Sequence, residues 1–252
     1  MRLLIISALV VMLTHLLEGI AGFGGAVMAL PFLVQSIGLR NAVHLLGIFG
    51  WIMALYIVVR SWKSINWREF AFIAAWSVPG MILGLVIFDI LPANYLCLLL
   101  GLFMIAVGIH GNFKAQMPSS SPALSSRTLP MKLLLVTGGV FQGAFGSGGP
   151  CIVIYTAKAI QDKTEFRLTL SLLWLVMNTF RLVTWSIQGE LNNWQLWKMV
   201  LIIFPLMAAG LMTGDHLHRK INAGIFKIGV YSLLGISGII MAIKNFSSII
   251  SH

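Results

Sequence analysis

Gln142-Gly-Ala-Phe-Gly-Ser-Gly-Gly-Pro150 has an echo upstream, Glu18-Gly-Ile-Ala-Gly-Phe-Gly-Gly-Ala26. Laid over each other, the stretches share Gly19/Gly143, Gly22/Gly146, Gly24/Gly148 and Gly25/Gly149, and a polar residue leads each. Both sit inside long apolar runs. Glycine weakens a helix and frees backbone polar groups. In a bilayer such groups are tolerated only where protein or a watery cavity receives them. The spacing therefore predicts two broken helices facing a shared interior.

The rest of the chain makes the bilayer the relevant solvent. Of 252 residues, 58% are hydrophobic and 10% charged, and the mean hydropathy is +0.93. Soluble domains carry about 25% charge. The net charge of +10 is scattered through short gaps between apolar runs. That excludes a nucleic-acid face and suits topology signals and lipid headgroups. Cys97 and Cys151 lie in apolar runs and read as small buried hydrophobes, not as a disulfide or metal pair. Met1-Arg2 followed by Leu3–Leu13 resembles a signal peptide, but no small-residue cleavage site follows, so the segment reads as a retained span.

Runs near the roughly 20 residues that cross a bilayer divide the chain. Leu3–Ile37 is too long for one straight span and carries the first glycine motif and Pro31. Ala42–Val59, Phe70–Phe88 and Tyr95–Ile109 follow. Lys114–Arg127 is Ser/Pro-rich and reads as a linker outside the membrane. Leu133–Ile160 carries the second motif, and a charged loop over Gln161–Arg167 leads to Leu168–Ile187, Leu196–Thr213 and Ala223–Ile243. Landmarks recur in order: Arg40/Arg167, Asn66-Trp67/Asn193-Trp194, Pro79/Pro205, Gly84/Gly210 and Asp89/Asp215. The expected fold is an all-α polytopic membrane protein built as two homologous halves of about four segments each. Residues 1–113 form the first repeat, 114–131 the linker and 132–252 the second repeat.

Sidedness divides the halves. Eight spans from an inside N-terminus put Arg60, Lys63, Arg68, Lys114, Arg127 and Lys132 inside, as the positive-inside rule asks, but Lys158, Lys163 and Arg167 outside. Inverted copies would remove the conflict, and they follow if a glycine segment turns back within the membrane. Seven spans with one partial segment is the open alternative.

A half-helix N-terminus offers unpaired N–H groups and partial positive charge, which suits an anion. The expected substrate contacts are Gly22, Gly24, Gly25, Gln142, Gly146, Ser147, Gly148 and Gly149 at the breaks. Asn178 and Arg181 join them from the middle of Leu168–Ile187, where a charge is costly and usually faces a cavity or partner. The fork of Arg181 matches a pair of sulfonate or sulfite oxygens. Glu18 reads either as a proton-coupling carboxylate or as the ion-pair partner of Arg181. His15 and His44 read as hydrogen-bonded packing residues. No phosphate loop and no catalytic motif is present, so no enzyme, cofactor or metal is expected.

Gly19-Ile-Ala-Gly-Phe-Gly-Gly25 with Pro31-Phe32-Leu33, Gly143-Ala-Phe-Gly-Ser-Gly-Gly-Pro150, the duplicated layout and the length together resemble the TauE/SafE family of sulfite exporters and sulfonate uptake permeases. The resemblance covers essentially the whole chain. It departs from the usual pattern at Glu18 and Phe23, where small or apolar residues are common. It implies an inner-membrane secondary carrier of a small inorganic or organosulfur anion, with the lipid bilayer as its other partner and room for a homo-oligomer.

Overall fold

The computed structural model describes residues 2–21, 24–116, 127–217, 232, 235, 236 and 238–246, and all its regular structure there is helical. The helices are α1 (Arg2–Ala21), α2 (Gly25–Ile37), α3 (Leu39–Ser61), α4 (Trp67–Ile90), α5 (Ala93–Gln116), α6 (Leu129–Phe145), α7 (Gly149–Ala159), α8 (Lys163–Ile187) and α9 (Trp194–Leu217), with short 3-10 turns at Trp62–Ser64 and Glu190–Asn192. Among the described residues, five helices are long and apolar enough to cross a membrane: α3, α4, α5, α8 and α9. Most of the expected last span, Ala223–Ile243, lies outside the described residues, as does most of the linker. The helices turn large apolar side chains outward, among them Ile82, Leu83 and Val86 on α4, as a lipid-facing surface requires. Trp62, Trp67 and Trp194 are exposed at helix ends, where interfacial anchors belong.

The chain forms two compact units: Met1–Ala42, Ile90–Ser121 and Ile202–His252 in one, Val43–Asp89 and Pro122–Leu201 in the other. In the second unit, α4 and α6 lie side by side and run the same way. Glycines make this possible. A Cβ at Gly80 or Gly84 would overlap the carbonyl of Val136 or Val140, and one at Gly139 or Gly143 would overlap that of Ser77 or Met81. This is backbone contact through small residues four apart on both helices. Gly143, a glycine of the repeated motif, is thus a packing residue.

After Gly146 the chain reverses. α7 folds back on α6, so that Gly138 faces Cys151 and Ile152, and Gly148 abuts the Gly138 carbonyl. The second motif is therefore the tip of a helical hairpin. An apolar core of Ile73, Met81, Leu135, Ile152, Tyr155, Leu170, Leu173 and Met177 joins α4, α6, α7 and α8. Tyr155 OH donates to Glu69 at 2.8 Å, and Arg127 Nη2 donates to the same carboxylate at 3.2 Å, tethering the far end of α7. The expected loop over Gln161–Arg167 is corrected: α8 already starts at Lys163, because Asp162 caps it by accepting from the N–H groups of Thr164 and Glu165.

α8 runs parallel to α4 and antiparallel to α3. Asn66 Nδ2 donates to Glu165 at one end, and Gln188 Nε2 donates to Asp89 at the other. Trp51 Nε1 of α3 donates to Thr179 Oγ1, while Gly47, a turn earlier, faces Trp185.

In the first unit, α1 and α2 form the matching hairpin. Gly25 abuts Glu18 and the Thr14 carbonyl, and the hydroxyls of Ser7 and Ser36 meet at 3.0 Å near the open end. Gly24 takes φ +97°, a left-handed conformation that favours glycine. Gly210 of α9 packs on the Met12 carbonyl of α1, and Gly101 of α5 on that of Gly238.

Candidate functional site

Arg181 of α8 is wholly buried, at 0% exposure, within an apolar helix. Its Nη1 donates to Asn178 Oδ1 at 3.3 Å, one turn earlier on the same face. Its Nε and Nη2 have no hydrogen-bond partner, and no carboxylate is recorded within salt-bridge reach among the described residues. The Cζ atom lies 4.5 Å from the centre of the Trp185 ring, a cation–π contact one turn later. Isolated charge in a low-dielectric interior costs several kcal/mol, so such a group calls for an anion.

The hairpin tip comes to this guanidinium. Gly146 ends α6 at φ +67°, and a Cβ there would lie 2.5 Å from Arg181 Nη1. Both the left-handed backbone and the close approach require glycine. The next residue, Ser147, is also at 0% exposure, and its Oγ has no partner. Gly148 then donates its N–H to Gln142 Oε1 at 3.1 Å. Gln142 thus braces the break from within. Gly149 and Pro150 open the 11-residue α7, whose first turn presents N–H groups without intrahelical partners. Gly149 is buried near Trp174. Across from them, Gly47 and Gly50 of α3 leave room for Trp185 and for the Asn178 amide, which Cβ atoms would approach to 2.8 and 3.1 Å.

Gln142, Gly146, Ser147, Gly148, Asn178 and Arg181 are therefore brought together in one unit. Gly24, Gly25 and Glu18 belong to the other unit, where Glu18 lies 3.8 Å from His15 Nε2. Gly22 lies outside the described residues. Three residues of the neighbourhood escape sequence reasoning. Trp185 lies four residues after Arg181, a helical spacing that could have found it. Gly47 and Glu190 could not be found that way, because only tertiary contact brings them in. His44, expected to be a packing residue, is 4% exposed and sets its ring edge-on to Trp185 at 4.3 Å. Its Nε2 is 2.6 Å from Glu190 Oε2.

Comparison with known proteins adds the following. A family model described as "Sulfite exporter TauE/SafE" matches residues 7–241. "Probable sulfite/organosulfonate exporter TauE" of Cupriavidus necator is 27% identical over 130 residues, 52% of this chain and 50% of that protein. "Probable inner membrane transporter protein TsaS" of Comamonas testosteroni is 23% identical over 183 residues, 71% of this chain and 73% of that protein. "Probable membrane transporter protein" of Xylella fastidiosa (strain Temecula1 / ATCC 700964) is 25% identical over 206 residues, covering 77% and 78% of the two chains. The alignment with the first of these relatives spans half that relative's length. No solved structure matches.

Proposed function

The chain belongs to the sulfite exporter TauE/SafE family, and on that premise we propose that it carries a small oxyanion, sulfite or an organosulfonate, across the inner membrane by alternating access. The observation that carries this reading is the buried Arg181 guanidinium, with Nε and Nη2 unpartnered beside the unpartnered Ser147 hydroxyl. Nε and one Nη of a guanidinium form the fork that grips two oxygens of a sulfonate or sulfite in parallel. Ser147 adds one donor, and the first turn of α7 adds partial positive charge. The sulfur class is carried by the family and by the printed name of the Cupriavidus relative.

The two hairpins support an inverted-repeat topology. Each span takes the chain across the bilayer, and each hairpin returns it to the face it left. By that count one face receives the loop after α3 (Arg60, Lys63, Arg68), the linker flanks (Lys114, Arg127, Lys132) and the turn from α7 to α8 (Lys158, Lys163, Arg167). The opposite face receives Arg2, Arg40 and Lys198. The positive-inside rule makes the first face cytoplasmic, and the conflict between the halves disappears.

Thermal unfolding of the detergent-solubilised protein tests the site. Millimolar methanesulfonate or sulfite should raise the wild-type midpoint, since a ligand that binds only the folded state stabilises it. Arg181→Met should abolish that shift. Its own midpoint should be higher than wild type by a few degrees, about what removing ~1 kcal/mol of buried-charge cost produces in a chain of this size. An unchanged ligand shift in Arg181→Met would overturn the assignment.

A further inference from the structure

Contacts lead from Arg181 to the end of its helix. Arg181 stacks on Trp185, Trp185 meets the ring edge of His44, and His44 Nε2 reaches Glu190 Oε2 at 2.6 Å. The exposures along this line are graded. Arg181 is at 0%, Trp185 at 1%, and the side chains of His44 and Glu190 at 5% and 19%. Glu190, in the turn after α8, is the member nearest water. Gly47 is the residue of α3 that lets the Trp185 ring lie against that helix.

We propose that the His44–Glu190 pair is the proton-coupling site of the carrier, linked to the anion on Arg181 through the wedged Trp185. This rests on the reading of Arg181 as the anion site. His44 is the side chain here whose charge changes near neutral pH. The proton sits on its Nε2, directed at Glu190 Oε2, and leaves from the same atom. The charged groups around the pair are few. Arg181 of α8 lies beyond Trp185, Arg40 lies one turn earlier on α3, and Asp89 of α4 is held by Gln188 at the end of α8. When an anion neutralises Arg181, the positive charge opposing protonation of His44 is removed. By reciprocity, the proton then raises the affinity for the anion by the same factor. A monovalent anion and one proton therefore move together without net charge. The pair lies at the C-terminal end of α8, the extracytoplasmic end in the topology above.

Proteoliposomes loaded and assayed with methanesulfonate test this, because its charge is constant across the range in which histidine titrates. Under a gradient of one pH unit at zero potential, wild type should accumulate methanesulfonate about tenfold on the alkaline side, since a tenfold gradient of one species balances a tenfold gradient of the other. His44→Gln and Glu190→Gln each keep a hydrogen bond between the two positions. They should still exchange methanesulfonate at uniform pH but accumulate none. The proposal is overturned if wild type shows no accumulation, or if both variants accumulate as wild type does. Loss of exchange in both variants, with the folded protein intact by size-exclusion chromatography, also overturns it, because the pair is then part of the binding site itself. Failure of the Arg181 reading looks different: Arg181→Met would exchange at the wild-type rate at uniform pH. Wild-type liposomes no more permeable than empty ones overturn both readings.

Discussion

Ser147 separates binding from architecture better than any other residue of the site. Its hydroxyl is buried with no partner, so the fold gains nothing from it. A hydrogen bond to a charged group contributes about 1.5–3 kcal/mol, or roughly 10- to 100-fold in affinity. Ser147→Ala should therefore weaken methanesulfonate binding by about that factor and leave the ligand-free midpoint unchanged or slightly raised. Titration by isothermal calorimetry and thermal unfolding of the same preparation decide it; a lower ligand-free midpoint with unchanged affinity would make Ser147 structural. At this scale the sequence was informative in part. A charge in an apolar helix marks Arg181, and its turn-mate Asn178 follows from spacing. The isolation of Arg181 from any recorded carboxylate partner does not follow from sequence, because pairing is decided by tertiary contact. The same holds for His44. Alone in an apolar run it resembles a packing histidine, and only the arrival of Glu190 at 2.6 Å gives it a second role.

The glycine motifs show what periodicity can and cannot settle at the level of elements. Their spacing marks a break, yet a broken helix that continues and one that turns back have the same local sequence. The choice is made by contacts such as Gly148 on Gly138 and Gly25 on Glu18, which close the hairpins. Neighbouring glycines also serve different ends. Gly146 supplies a left-handed backbone beside the guanidinium, whereas Gly143, a turn away, lets α6 lie on α4. Gly139→Ala or Gly84→Ala should accordingly push α4 and α6 apart and cost about 1–3 kcal/mol, the usual penalty of overfilling a close-packed contact. The unfolding midpoint should fall in both, while the methanesulfonate affinity of the surviving folded fraction stays within a few-fold of wild type. A midpoint unchanged in both would mean that the two helices are not in backbone contact.

For the whole molecule, composition alone named the solvent, and the five long apolar helices agree. Sidedness was not legible, because counting both glycine segments as full spans sets the charges of the two halves against each other. Counting them as hairpins puts Lys63 and Lys163 on one face and Glu190 on the other. Single cysteines at those three positions, in a background lacking Cys97 and Cys151, should show it in intact cells. A membrane-impermeant maleimide should label position 190 and spare 63 and 163; labelling of 163 together with 190 would restore eight full spans.

The central claim is that the hairpin tip and Arg181 bind an oxyanion that the protein then moves. Counterflow of labelled methanesulfonate, at uniform pH in liposomes, reads that claim most directly. Wild type should exchange label well above empty liposomes, and Arg181→Met, folded and reconstituted to the same density, should fall at least about tenfold, since an intramembrane charge of this kind is seldom without function. Exchange by Arg181→Met at the wild-type rate would contradict the account.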